Sequence, residues 1–527
     1  MAYTLKQGDD VVASNLSDPS YTITGLAPGT IVNYTVTAAN SLGESKLSLA
    51  ISGSTAGAYT NVSPGTLPEP GVAPAGYSPT ILDDLGVPKY TCVRDWYLDP
   101  NGNDGLDGTT PATAWATLSK ADQNAKAGDC VNLASGVYQI TSTPNLNASG
   151  SENTPTGYIV YRSVVQGGAV LRQMTDQHAY PQYDYRNWGF LVVINGSYLI
   201  FDGIEFDGNN FNVATDCISN TNVNPPGHHW VYENDIAHHC GTLGLGNGYG
   251  DYLWYINNLT YDNSNTNVTN EGGGIDAYEA KDATRFASKS GFVQNDADRA
   301  LPYHVVIAFN ITHDNIILPS GCPTPGCGTD TGDHLGTSHS DGNGIMFDNF
   351  DCSQSDSVPF PFASIALGNL SYNNGGAGIL VGTSPNVTVA NNTVYNNFTD
   401  NEIMNTQRGD IDVGWSNNAL IVNNAVYAVQ GSGTYTQHNS AIFYGYSGST
   451  YHNAKFYNNI GYPSVNGPTA SDGSNNLFGA AYDPLFTDAP NGDFTLQTGS
   501  PALGSGLSDT TTPWLTSGTS NIGALQP

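Results

Sequence analysis

Positive charge is scarce in this 527-residue chain: 15 lysines and arginines stand against 46 aspartates and glutamates, a formal charge of −31. So acidic a surface repels phosphate backbones, which excludes nucleic acid as a partner. It also disfavours a polyanionic substrate unless bound cations screen the carboxylates, whereas a neutral glycan meets no such repulsion. Long apolar runs are missing too. Nothing approaches the roughly 18 residues needed to cross a bilayer as a helix, so no membrane span is expected. The opening MAYTLKQGDD has neither the basic start nor the apolar stretch of a signal peptide. Cysteine is sparse, with seven residues, and the odd count leaves at least one unpaired.

What is present is turn chemistry. There are 61 glycines and 29 prolines, charged residues make up only 12%, and hydrophobics reach 39%, enough for a core and against global disorder. A β-rich solenoid or barrel fits this composition better than a helical protein. The length allows one large core plus a small module. Cys322 and Cys327, in GCPTPGC, can close a small loop, Cys217 and Cys240 lie 23 residues apart, and Cys92 can pair with Cys130. Such pairs suit an oxidising compartment, although scattered buried thiols would give the same counts.

Residues 20–45, SYTITGLAPGTIVNYTVTAANSLGES, combine a strand, an L-x-P-G-T corner and an alternating run closing on AAN. Residues 1–52 therefore resemble the second half of a fibronectin type III module, departing from it at Val32, where the corner tyrosine usually stands. The match begins at mid-module, which would leave strand edges uncovered. The natural protein is therefore expected to start further upstream, with a signal peptide there and an extracellular destination. The module itself is expected to be a spacer. Residues 53–87, rich in Pro, Gly and Ser, read as a linker.

From residue 88 the pattern changes. The stretch WYLDPNGNDGLDGTTPATAWATLSKADQNAKAGDCVNLASGVY (96–138) joins a strand, an Asp/Asn/Gly loop, a helix over about 113–127 and a coil strand. Three-residue steps put Trp115, Leu118 and Ala121 on one side of that helix, which can cover the open end of a solenoid. A repeat follows: NDIAHH (234–239), NLTYDN (258–263), NITHDN (310–315), NLSYNN (369–374) and NTVYNN (392–397), with looser copies at Asn424 and Asn459. The shortest steps, Asn234 to Asn258 and Asn369 to Asn392, are 24 and 23 residues, one coil of a parallel β-helix. An asparagine at each corner can satisfy backbone groups and stack as a ladder. Asn258, Asn310 and Asn369 are thus read as structural, although each sits in a glycosylation sequon. With the closing run DPLFTDAPNGDFTLQTGSPALGSG (483–506), residues 88–527 resemble the right-handed parallel β-helix carbohydrate enzymes of the pectate-lyase-like superfamily. The expected fold is all-β: a right-handed parallel β-helix preceded by a truncated β-sandwich module and a linker.

The strands GTLGLGN (241–247), GGIDAYE (273–279), NGIMFDN (343–349), AGILVGT (377–383), GDIDVGW (409–415) and SAIFYGY (440–446) can be laid in register. With Leu243, Ile275, Ile345, Ile379, Ile411 and Ile442 facing inward, alternation puts Leu245, Ala277, Phe347, Val381, Val413 and Tyr444 inward too. Gly244, Asp276, Met346, Leu380, Asp412 and Phe443 then form one outward column. Gly246, Tyr278, Asp348, Gly382, Gly414 and Gly445 form the next. Carboxylates, an aromatic and many glycines on one wall describe a shallow cleft for an extended chain. Rungs stack about 4.8 Å apart and alternate residues lie about 6.6 Å apart, so Asp276 and Asp348 stand diagonally at about 8 Å. That suits two carboxyls acting across a water, with a retaining pair still open. Asp341 would lie about 23 Å from Asp348 in an extended strand, unless Gly342-Asn343-Gly344 turns it back. Glu271 matches it one coil earlier. His339 lies beside Asp341, Arg408 at the edge of one strand and His438 before another, and all three can flank the cleft.

Three functions compete. In a glycoside hydrolase, Asp348 would be the general acid and Asp276 or Asp341 the base or nucleophile, with Arg408, Asp412, Tyr278, His339, His438 and Glu271 binding substrate and no cofactor required. In a β-elimination lyase on a uronate polymer, clustered acids would hold Ca²⁺ and Arg408 or Lys281 would be the base. The chain partly resembles family nine pectate lyases, which carry an Asp-Asp-Gly-x-Asp run on the coil after their D-G motif. Here that coil reads NNGGAGILVG (373–382), and the nearby lysines are Lys281 and Lys289. The resemblance therefore does not carry the family's calcium site or lysine base onto this chain. A non-catalytic, carbohydrate-binding solenoid is the third reading. Asp99, Asn101, Asn103 and Asp107 offer alternating oxygens, but the run lacks the glycine and glutamate of an EF-hand loop and reads as a turn, with a structural cation as the rival.

Overall fold

The computed structural model describes residues 2–7, 10–16, 31–40, 43–44, 51–54, 73–174, 189–210, 214–220, 225–265, 271–317, 339–400, 409–428, 440–445, 453–469, 472–508, 514 and 520–526. The chain divides into two compact units, Met1–Leu67 with Phe486–Thr495, and Pro68–Leu485 with Leu496–Pro527. In the first, strands Ala2–Gln7, Asp10–Leu16, Ile31–Asn40, Gly43–Glu44 and Ile51–Ser54 make one antiparallel sheet.

The second unit is a parallel β-helix. Three parallel sheets of 12, 11 and nine strands run along it. The chain visits them in turn, as in Asp251–Ile256, Leu259–Tyr261 and Gly273–Tyr278, before the next coil begins at Val305–Ala308. Inward residues make a continuous apolar core. Tyr161, Phe201, Tyr232 and Tyr255, one per rung, stack with ring centroids 5.6, 5.6 and 5.1 Å apart. Parallel pairing with both faces covered explains why these strands read as nearly continuous apolar runs.

Two asparagine ladders lock the rungs. At the corner between the first and second sheets, the backbone N–H of Asn258 donates to Asn310 Oδ1 at 2.8 Å, Asn310 to Asn369 at 2.9 Å, and Asn369 to Asn392 at 2.9 Å. Asn392, Asn424 and Asn459 continue at 3.0 Å. Each side-chain amide donates in parallel, that of Asn310 reaching Asn369 Oδ1 and Tyr255 O. A second ladder runs through Asn263, Asn315, Asn374 and Asn397 and ends on Asp410 Oδ2. The residue before each corner takes positive φ: Asn257 at 56°, Asn391 at 52° and Asn423 at 57°. Asparagine tolerates this conformation, and the Asn-Asn pairs follow from it. Asn258, Asn310 and Asn369 are fully buried, which leaves no room for a glycan.

Three expectations need correction. The first ladder begins at Asp235, not Asn234: Asp235 N–H donates to Asn258 Oδ1 and Ile236 pairs with Leu259, so the step is 23 residues. The end helix is short, Leu118–Asp122, because Asp104 ties the extended backbone at Ala116 and Thr117 and Thr117 caps the first turn. Trp115, Leu118 and Ala121 are nonetheless all buried. In the third sheet, Leu245 rather than Leu243 stands beside Ile275, and Gly246 beside Asp276. Leu243, expected inward, instead lines the cleft and packs against the cluster of Met346, Ala377 and Leu380; a slip by two residues is one that alternation alone cannot detect. The remaining strands lie in the expected register, with Asp276 beside Met346, Tyr278 beside Asp348, Leu380 beside Asp412 and Asp412 beside Phe443.

Disulfides join Cys92 to Cys130 and Cys217 to Cys240, and Cys352 is free and buried. Cys322 and Cys327 lie outside the described residues. In the DPNGNDGLDG run, Asp99, Asn103 and Asp107 each accept a backbone N–H two residues on, as turn-forming residues do. The ladder carries a measurable expectation. Asn310→Ala orphans the Asn258 N–H inside the protein, so the chemical-denaturation midpoint should fall by the equivalent of about 1–3 kcal/mol or more; an unchanged midpoint would show that the ladder is not under load.

Candidate functional site

The outer face of the third sheet holds a cleft of about 750 Å³. Its acidic lining comes from four of six successive rungs and the turns before them: Asp216, then two rungs on Glu271 with Asp276, on the next rung Asp341 with Asp348, and two rungs further Asp412. Asp276 projects from the middle of Gly273–Tyr278, and Asp348 closes the strand Asn343–Asp348 beside Tyr278. Glu271 and Asp341 precede matching strand positions, Gly273 and Asn343, which are paired. The chain turns at Gly272 (φ 148°) and Gly342 (φ 87°), and this brings Asp341 into the same cleft as Asp348. The turn lies at Gly342 alone, since Asn343 and Gly344 already belong to the strand.

No lysine or arginine lines the cleft among the described residues, so the carboxylates stay ionised only at the expense of repelling one another. Burial, and then Asp348, Asp341, Asp216 and Glu271, push the Asp276 carboxyl well above the ordinary range. Asp276 is only 8% exposed and its Oδ1 has no hydrogen-bond partner. Asp341 is raised by burial, Asp348 and Glu271. Asp348, more open to the cleft, is pushed up to about 7 by burial and by Glu271, Glu279 and Asp351. Beneath the floor, Glu279 accepts from Asn349 Nδ2 at 2.9 Å and from the Gln354 N–H at 3.0 Å, and so fixes the loop that follows Asp348.

The other residues singled out in the sequence fall differently. Tyr278 lines the cleft, its hydroxyl donating to Gln354 Oε1 at 3.1 Å and its ring meeting Tyr249 edge-on at 5.5 Å. His339 is not in the lining: it is buried with Nδ1 against Asp400. Lys281 is also turned away. Its Nζ is held by Ser355 Oγ at 2.6 Å and Asp356 Oδ1 at 3.1 Å, with the side chain 4% exposed. Arg408 and His438 lie outside the described residues. Sequence reasoning missed Asp216, Phe190, Tyr249 and Trp415, all in the lining. Extending the register one strand earlier, with Ile218 beside Leu245, would have found Asp216.

Ligands of one Ca²⁺ lie 2.3–2.6 Å from it and hence within about 5 Å of one another. Among the described residues, the groups of three acidic, histidine or cysteine side chains with ligand atoms within 4.8 Å include none of the cleft carboxylates.

No protein-family model matches the chain, and no curated protein matches its sequence. Solved structures do. A pectate lyase, Pel9A, is 15% identical with a TM-score of 0.46, covering 84% of this chain and 99% of that one. A glycoside hydrolase is 10% identical with a TM-score of 0.45, covering 77% and 99%. A rhamnogalacturonan lyase is 16% identical with a TM-score of 0.43, covering 77% and 97%. The likeness is one of fold.

The raised carboxyls fix a sign. Native Asp348 binds more protons than the unfolded chain between its ordinary value, about 4, and about 7, so its contribution to stability falls as pH rises through that window. Asp348→Asn and Asp276→Asn should therefore raise the thermal midpoint at pH 8 and change it little near pH 4. Differential scanning calorimetry across pH checks this, and lowered midpoints at pH 8 would contradict it.

Proposed function

We propose that this chain is a polysaccharide-cleaving glycoside hydrolase acting on a neutral glycan. The observation that carries the reading is the set of proton-holding carboxyls, on neighbouring rungs of one open cleft, with no basic side chain among its described lining. Strongly perturbed acids in a cleft mark chemistry more often than architecture, because their repulsion costs stability. Asp276, more buried and ringed by four acids, keeps its proton and is the general acid; this reverses the roles that spacing alone suggested. Asp348 ionises first and is the base. The proton of Asp276 passes to the glycosidic oxygen as the anomeric carbon–oxygen bond breaks. Asp348 takes a proton from the water that attacks that carbon, so one water is consumed per bond. The diagonal placement, about 8 Å at the backbone, leaves room for that water.

Phe190, Tyr249, Tyr278 and Trp415 supply ring faces and edges to hold sugars, and Gly382 and Gly414 keep the wall beside Asp348 low. A lyase needs a base with a free lone pair beside the uronate, and Lys281 is engaged elsewhere. Two disulfides fit an extracellular setting, and no helix among the described residues is long and apolar enough to cross a membrane.

Incubation with a panel of neutral and uronate polysaccharides should give new reducing ends without ultraviolet-absorbing products, insensitive to chelator. Asp276→Asn and Asp348→Asn should each lower kcat by about 100- to 10,000-fold. Unsaturated products, or full activity in both variants, would overturn the reading. A Cβ at Gly382 would touch nothing closer than 3.6 Å, with Asp348 Oδ1 at 3.7 Å. Gly382→Phe should thus fold normally yet lose kcat/KM by obstructing the cleft, as steady-state kinetics beside circular dichroism would show.

A further inference from the structure

Away from the cleft, on the outer face of the second sheet, Asp207 and His238 are cross-strand neighbours and His239 follows in a left-handed turn at φ 56°. The Nδ1 atoms of His238 and His239 face each other at 2.6 Å, and Asp207 Oδ1 lies 3.9 Å from His238 Nδ1. All three ligand atoms fall within 4.8 Å of one another. The far sides of both rings meet carboxylates, His238 Nε2 at 3.2 Å from Glu205 Oε1 and His239 Nε2 at 3.7 Å from Asp262 Oδ2. An ionised carboxylate cannot donate, so His238 Nε2 carries the hydrogen and its Nδ1 presents a lone pair to His239 Nδ1. The close approach of two ring nitrogens is bridged by a proton on His239 Nδ1 or by a cation held between the rings.

We propose that Asp207, His238 and His239 form a binding site for a divalent transition-metal ion of the zinc class. Two imidazole nitrogens and one carboxylate oxygen are the donor set such ions prefer, with a fourth position left for water. His239, with its side chain 19% exposed, gives the ion a path in. Glu205 holds the His238 ring as a carboxylate behind a metal-bound histidine does. Asp207 Oδ2 is engaged by Arg172 Nε at 2.6 Å, and Oδ1 accepts the Asn209 N–H at 2.7 Å, so the carboxylate is oriented before any ion arrives. Glu205, Asp207 and Asp262 outweigh the single Arg172, leaving local negative charge for the dication. Ligation at about 2.0–2.1 Å requires the two nitrogens to part to about 3.3 Å. An ion there would tie the Glu205–Asp207 rung to the next, beside the Cys217–Cys240 bridge.

The test uses the full chain, stripped with chelator, dialysed and titrated with Co²⁺ as a visible probe and Zn²⁺ as competitor. One equivalent should bind with ligand-field bands of a nitrogen- and oxygen-ligated ion, and Zn²⁺ should raise the thermal midpoint. His238→Gln and His239→Gln should abolish both effects, and Glu205→Gln should weaken binding about 10- to 100-fold. His313→Gln, in the same ring stack but outside the cluster, should bind as the natural chain does. Absence of stoichiometric uptake, which would mean that a proton alone separates the rings, overturns the proposal. So does uptake retained by His239→Gln, or lost equally in His313→Gln.

Discussion

Each corner asparagine of this solenoid accepts a backbone N–H of the rung before at its amide oxygen and donates its amide hydrogens to a carbonyl of that rung and to the asparagine of the next, as Asn310 does, and the register depends on those bonds. Hydrophobic packing alone would accept a strand moved by two residues, since the same face stays buried. Such a slip would carry Asp276 about 6.6 Å along its strand relative to Asp348. The stack from Asp235 to Asn459 forbids it by fixing where every coil turns. The cleft is a consequence of corners that lie elsewhere on the solenoid.

Given that register, the chemistry follows from a shortage. Acids from several rungs face one cleft, and lysines and arginines are few in the chain. Arg94, Arg162, Arg172 and Lys281 are engaged with aspartates outside the cleft. Burial and the neighbouring carboxylates push the Asp276, Asp341 and Asp348 carboxyls up, so that they hold protons more readily, the state a general acid must be in. The acidity that disfavours polyanions as partners is thus the same property that prepares the site. On the proposed reading, the readiness of the acid and the local instability have one cause.

Much of this was legible before any coordinates. The 23-residue step, the corner asparagines and the alternation of GGIDAYE, NGIMFDN and GDIDVGW gave the parallel coil and put Asp276, Asp348, Tyr278 and Asp412 on one wall. What was not legible depended on spacing that composition does not encode. Leu243 and Leu245 are the same residue type two places apart, so composition does not say that Leu245 stands in the core beside Ile275 while Leu243 lines the cleft. Asn234 and Asp235 are equally good corner residues, so the ladder was begun one place early. The end helix was overdrawn because three-residue spacing of Trp115, Leu118 and Ala121 also suits an extended segment leading into a single turn. His339 looks like a cleft residue by adjacency to Asp341, but its ring is buried against Asp400 while Asp341 lines the cleft.

Burial and neighbouring rungs push the Asp276 and Asp348 carboxyls up, so that protons stay on them to higher pH. Carboxyl ¹³C shifts of labelled aspartates, followed against pH in the full chain and assigned by difference with Asp348→Asn, measure it directly. The expected result is a midpoint for Asp348 at about 7, with Asp276 also displaced upward. Midpoints for both near the ordinary aspartate value of about 3.9 would contradict the account.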